Sequence, residues 1–185
     1  MDSPGTEAPS RISPWIVVAV AVLAVAVGYL GRALLERAVP AVPAGQESPE
    51  RLEFSLTSLD GATVSAGDFE GRVLVVDFWA TWCGPCRLQE EILEELLAQY
   101  STQPVSFLGI NVSEPEELVQ EFATRDPFSY PVLIDPTGSL SARYDIYALP
   151  TVMIVAGDQR IAYSHVGVST REQVARAIDR ALADG

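Results

Sequence analysis

The chain carries two thiols, Cys83 and Cys86, and they stand close together as Cys83-Gly84-Pro85-Cys86. At that spacing one sulfur can turn back on the other, which lets a mixed disulfide form on the first and be released by the second. An apolar run, Arg72 to Trp79, leads into the pair and an amphipathic stretch leads out of it. The first thiol is therefore predicted at a helix N-terminus, where unpaired N–H groups and the positive end of the helix dipole favour a thiolate. Pro85 suits such a first turn, because its missing N–H leaves no hydrogen bond unmade. Two other readings compete: a structural bridge, and half of a zinc site shared across a dimer. A bridge over so short a loop would stabilise by only about 2 kcal/mol.

That chemistry needs a strand that ends at the thiol and a helix that begins there. Arg72-Val-Leu-Val-Val-Asp-Phe-Trp79 is apolar almost throughout, as a central strand covered on both faces should be. Beyond Cys83, Leu88, Ile92, Leu93, Leu96, Leu97 and Tyr100 recur at helical spacing. Glu53 to Ser58, the turn Leu59-Asp60-Gly61 and Ala62 to Ser65 read as a β-hairpin. Val105 to Asn111 is a second buried strand. Ser113 is expected to cap the next helix, with Glu114, Pro115 and Glu116 in its first turn. Leu118, Val119 and Phe122 carry that helix to about Arg125. Pro131 to Asp135 reads as a short strand, Ser139 to Tyr144 as a short helix, and Thr151 to Val155 with Arg160 to His165 as a hairpin. Thr170 caps a last helix, whose Val174, Ala177, Ile178 and Leu182 form a buried face. The order is that of an α/β domain around a mixed sheet.

Composition removes several function classes. Twelve basic residues, all Arg, oppose 25 acidic ones in 185 residues, for a net charge of −13. No basic stripe exists to hold a phosphate backbone, so nucleic acid is excluded as a partner. Two Cys cannot build a multi-bridge secreted scaffold, and one His cannot complete a Cys2His2 zinc site. Arg87 after the second Cys breaks the haem-attachment pattern. Residues 1–13 are polar and read as a disordered leader. Residues 14–35 are apolar apart from Arg32, long enough for a bilayer span of roughly 20 residues. Trp15 and Tyr29 sit near its ends, where interfacial aromatics belong. A retained transmembrane anchor is expected, with a signal peptide cleaved after Ala24-Val25-Ala26 as the alternative. Arg11 on one side and Arg32 and Arg37 on the other leave its orientation open. Residues 36–50, with Pro40, Pro43 and Pro49, read as a tether, which leaves 51–185 for the folded domain.

Phe78-Trp79-Ala80-Thr81-Trp82-Cys83-Gly84-Pro85-Cys86-Arg87 resembles the thioredoxin superfamily, and within it the membrane-anchored TlpA/ResA-like thiol-disulfide oxidoreductases. Tyr144-Asp-Ile-Tyr-Ala-Leu-Pro150-Thr151 resembles the cis-proline loop of that superfamily. The helix and strand between Ser113 and Asp135 resemble the insertion that marks this branch, and the likeness covers about Glu53 to Leu182. It implies a thioredoxin-like fold, a mixed central sheet flanked by helices. An N-terminal β-hairpin, a central αβ insertion and a preceding transmembrane helix would complete it. Cys83 would be the nucleophile and Cys86 the resolving thiol, with no cofactor beyond the redox-active disulfide they form. Asp77 matches the buried acid that exchanges protons with the resolving cysteine in thioredoxins. Its setting in an apolar strand predicts a raised pKa, the bland alternative being a hydrogen-bonded strand residue. Trp82, Gly84, Pro85, Leu149 and Pro150 would form the substrate side. A cis Pro150 would set the Leu149 backbone beside Cys83, where an extended segment could add as a strand. The chain departs from the pattern twice: Glu91 replaces a helix-kinking Pro, and Gln89 replaces a frequent Glu, with Glu90 beside it. Trp79 is expected in packing, and His165 as a structural side chain.

The expectation that follows is a membrane-tethered thiol-disulfide oxidoreductase, single-pass in the plasma membrane, with its domain on the periplasmic or extracytoplasmic side. Gly84-Pro85 matches thioredoxin, with a potential of about −270 mV, rather than oxidants near −120 mV. The pair would then reduce protein disulfides and be re-reduced by a membrane electron donor. Cytochrome c maturation is the usual assignment of the resembling branch. A thiol oxidase of the same fold and a binding or assembly module without turnover are the alternatives.

Overall fold

The structure is a computed structural model that describes residues 51–184, together with Trp15 and Leu23. The chain divides into two compact units, Met1–Val42 and Pro43–Gly185, and the second is the one described below. The expected leader, anchor and tether lie outside the described residues, apart from Trp15 and Leu23. Among the described residues, no helix is long and apolar enough to cross a membrane.

A hairpin opens the domain: β1 (Ser55–Ser58) and β2 (Thr63–Ser65) pair antiparallel, with Leu56 opposite Val64. Gly61 takes the positive φ of +84° that this turn demands, a region open to glycine at no steric cost. A single 3-10 turn, Ala66–Phe69, leads to β3 (Val73–Trp79). All seven residues of β3 are buried, as its continuous apolar sequence predicts. There follow α1 (Gly84–Gln99), β4 (Val105–Val112), α2 (Glu116–Arg125) and β5 (Val132–Asp135). The chain closes with α3 (Ser139–Arg143), β6 (Thr151–Val155), β7 (Ile161–Val166) and α4 (Arg171–Ala183).

The strands form one mixed sheet in the order β2-β1-β5-β4-β3-β6-β7. The three strands β3, β4 and β5 run parallel, joined by crossovers through α1 and α2. The outer pairings are antiparallel. Alternation along β3 assigns its two faces. Val73 and Val75 pack with Leu93 and Leu96 of α1 and Val174 and Ile178 of α4. Leu74, Val76 and Phe78 turn to the other side, against Leu140 and Tyr144. Asp77 therefore projects from the face that α1 covers. Thr170 caps α4 as predicted, its hydroxyl accepting the Gln173 N–H while Gln173 Oε1 accepts the Thr170 N–H at 2.8 Å.

One expected cap is corrected. Ser113 does not cap α2, which starts at Glu116 with Pro115 as its N-cap residue. Ser113 instead has φ +58°, and its N–H bonds the Asp135 carbonyl at 2.9 Å. The reason lies one residue on. The Glu114 side chain is drawn inward as a buried acceptor, which delays the first helical turn.

Candidate active site

β3 ends at Trp79, three residues turn the chain, and Cys83 becomes the N-cap residue of α1, with extended φ and ψ of −85° and 93°. Pro85 lies in the first turn, and that turn holds no acidic side chain to compete for the free N–H groups. Cys83 and Cys86 are joined as a disulfide with their Cα atoms 5.3 Å apart. Both are nearly enclosed, 4% and 3% exposed, while Gly84 and Pro85 lie on the surface and Trp82 is 73% exposed. A sulfur at this place meets the positive end of the helix dipole, so its thiolate is favoured.

The turn that presents Cys83 is fastened from the far side of β4. Glu114 accepts the Thr81 N–H at 2.7 Å, the Thr81 hydroxyl at 2.5 Å and an Asn111 side-chain N–H at 2.7 Å. A buried carboxylate with three donors meets the condition for keeping a polar group out of water. Sequence reasoning placed Glu114 in a helical first turn and missed this role. Its partners are 33 and 3 residues away in the chain, so no local signal marks it.

Behind the cysteines lies a group of acids. Asp77, 1% exposed, is pushed up to about 7 by burial, against a Tyr130 hydroxyl that donates to its Oδ2 at 3.3 Å, and is raised further by the charge of Glu90. Glu90, 5% exposed, also rises to about 7 through burial, held back by the Arg87 guanidinium that pairs with it. Arg87 bridges onward to Asp126. The same burial raises the Tyr130 hydroxyl. Gly109 stands beside Asp77 on β4, where a Cβ would meet Trp79 Nε1 at 3.2 Å and Tyr130 Cε2 at 3.3 Å. Glycine thus permits the close approach of both rings.

The Leu149–Pro150 peptide is cis. Leu149 packs in the apolar cluster that contains both cysteines, so the structure brings Leu149 together with Cys83 and Cys86. Tyr147, two residues earlier, is exposed. Gln89 is fully buried and its Oε1 accepts the Ser169 N–H at 2.6 Å. Glu91 is exposed and α1 runs through it without interruption. Trp79 is buried against Phe122 and Phe128, and His165 stacks on Tyr163 within β7. Among the described residues, no group of three or more His, Cys, Asp or Glu is arranged to hold a metal ion.

Comparison with known proteins gives this geometry relatives. The Redoxin family profile matches residues 42–182. The thiol-disulfide oxidoreductase ResA of Geobacillus kaustophilus (strain HTA426) is 30% identical over 158 residues, covering 85% of this chain and 89% of its own. The thioredoxin-like protein YneN of Bacillus subtilis (strain 168) is 31% identical over 156 residues, covering 83% and 91%. Among solved structures, a putative thiol:disulfide interchange protein DsbE from Chlorobium tepidum superposes with a TM-score of 0.69 at 26% identity, over 74% of this chain and 98% of that one.

Proposed function

The chain belongs to the redoxin family and is a thiol-disulfide oxidoreductase with a thioredoxin-like fold; from that premise we propose that it reduces disulfides of extracytoplasmic proteins, tethered to the plasma membrane through residues 14–35. The observation that carries the reading is a Cys-Gly-Pro-Cys disulfide opening a helix, with a buried acid of raised pKa on the sheet face behind that helix.

In the reduced form, the Cys83 thiolate attacks a substrate disulfide. That bond breaks, one substrate sulfur leaves as a thiolate, and a mixed disulfide forms. Asp77 takes the proton of Cys86, and the Cys86 thiolate attacks the Cys83 sulfur. The mixed disulfide breaks and the second substrate thiolate leaves. Two electrons have passed from the dithiol to the substrate, and water supplies the protons that the products take up. Trp82, Gly84, Pro85 and the Leu149–Pro150 loop form the surface against which an extended substrate segment lies. A membrane electron donor restores the dithiol, and the TlpA/ResA-like pattern around Cys83 supports cytochrome c maturation as the setting.

Insulin reduction by the full chain with dithiothreitol as electron source tests this reading. Turnover that is lost in Cys83→Ser, with a trapped mixed disulfide in Cys86→Ser, is the expected result. A wild-type chain that leaves insulin intact would overturn it.

A further inference from the structure

Asp77 is enclosed. Its Oδ2 meets the Tyr130 hydroxyl, its Oδ1 has no hydrogen-bond partner among the described residues, and 1% of the residue reaches solvent. An acid so placed can take a proton from Cys86 once, but it needs a way to balance that charge with water. The neighbouring groups supply one. Cys86 and Glu90 stand four residues apart on α1 and so share its buried face. That face lies over the side of β3 from which Asp77 projects. The Glu90 carboxylate reaches Arg87, which is half-buried and also pairs with the exposed Asp126. Glu90 is thus buried on the helix face that covers Asp77, with its carboxylate paired to a cation that reaches the surface.

We infer that Glu90 acts as the proton exit of the site, releasing a proton to water past Arg87 whenever Asp77 takes one from Cys86. This rests on the oxidoreductase reading above and adds a residue to it. Glu90 acts through Asp77 and does not touch the reacting sulfurs. No electron moves in the step. The Cys86 S–H bond breaks, an Asp77 O–H bond forms, and a Glu90 O–H bond breaks to water. When the disulfide is reduced again, Asp77 returns its proton to the Cys86 thiolate and Glu90 takes one up.

The electrostatics support the pairing. The groups facing Glu90 are Arg87, Glu94 and Cys86 on its own helix, Asp126 just beyond α2, Tyr130 before β5, and Asp77 on β3. Both carboxyls lie near 7, and the Glu90 charge raises Asp77. Two such acids titrate as a pair, with a proton shared between them around neutrality.

The test is the reaction of the reduced full chain with 5,5′-dithiobis(2-nitrobenzoate), followed by stopped flow at about pH 5 to 9. The first thionitrobenzoate released reports attack by Cys83, and the second reports resolution by Cys86. Glu90→Gln is expected to slow the second phase by about tenfold or more and lower its pH midpoint, with the first phase unchanged within about twofold. Glu90→Asp restores the second phase. Arg87→Gln moves the midpoint upward, because Arg87 holds Glu90 down. A second phase in Glu90→Gln that keeps its rate and midpoint overturns the inference alone. If Glu90→Gln does not fold, an unmoved midpoint in Arg87→Gln does the same. If the wild type releases no second thionitrobenzoate, the oxidoreductase reading and this inference fall together.

Discussion

Glu114 binds Thr81 twice, accepting its backbone N–H at 2.7 Å and its hydroxyl at 2.5 Å, so the residue two places before Cys83 is held by a side chain from beyond β4. The nucleophile's turn is therefore anchored to the segment that joins the sheet to α2. A third donor, Asn111, ties the same carboxylate to β4.

Removing that anchor has a measurable consequence. A Gln at this position offers one oxygen and an NH2 group, so it cannot accept from three donors at once. Glu114→Ala is expected to lower stability by about 1–3 kcal/mol, because buried donors are left unpaired, and Glu114→Gln by less, because its NH2 can donate to the Thr81 hydroxyl. Urea unfolding measures the loss. Alkylation rates against pH should show Cys83 less reactive as its turn loosens. Unchanged stability in both variants would contradict the anchoring role.

Asp77 should make the fold less stable as pH rises. Its folded pKa, about 7, stands above the ordinary 3.8, so between those values the native state binds more protons than the unfolded chain. Its contribution is fully present below about pH 4 and is lost as pH climbs through about 7. Asp77→Asn removes this share of the dependence and leaves that of Glu90, whose pKa is also raised. At pH 8 the variant should be more stable than the wild type by roughly 2–4 kcal/mol, since a pKa unit is worth about 1.4 kcal/mol. Near pH 4 the gain should vanish. Thermal unfolding across that range, set beside a slowed Cys86 step, would show a catalytic acid kept at the expense of stability. A gain that does not depend on pH would contradict the assignment.

Tyr130→Phe isolates the one hydrogen bond that favours the ionised Asp77. Without it the Asp77 pKa should rise further, and the midpoint of the Cys86 step should move to higher pH. The stability change should stay within about 0.5–1.5 kcal/mol, the ordinary worth of one hydrogen bond. A midpoint that stays in place would show that Tyr130 serves packing alone.

Local chemistry was the most legible part of the sequence. Cys83, Pro85 and the helix they open lie within a few residues of one another, and the all-apolar β3 announced a strand covered on both sides. The Thr170 cap was equally local. Asp77 was legible through family likeness, and its position in the apolar strand announced a raised pKa, but its partners Tyr130 and Glu90 come from other elements. Glu90 carried a usable signal, since it falls on the helical face of Cys86 and Leu93. An acid on an amphipathic face is ordinarily read as solvent-facing. Glu114 carried none, because Thr81 lies on another element. Ser113 had the composition of a cap and was diverted by the neighbouring carboxylate. The cis peptide at Pro150 was legible through family likeness only, as an isolated X-Pro bond favours trans.

The reduction potential of the Cys83–Cys86 couple tests the central claim most directly. It would be measured in the full chain at equilibrium with graded ratios of reduced and oxidised dithiothreitol. A value near thioredoxin's, about −270 mV, is the result expected of a reductase fed by a membrane donor. A value near −120 mV would make the protein an oxidant and contradict the proposed direction of electron flow.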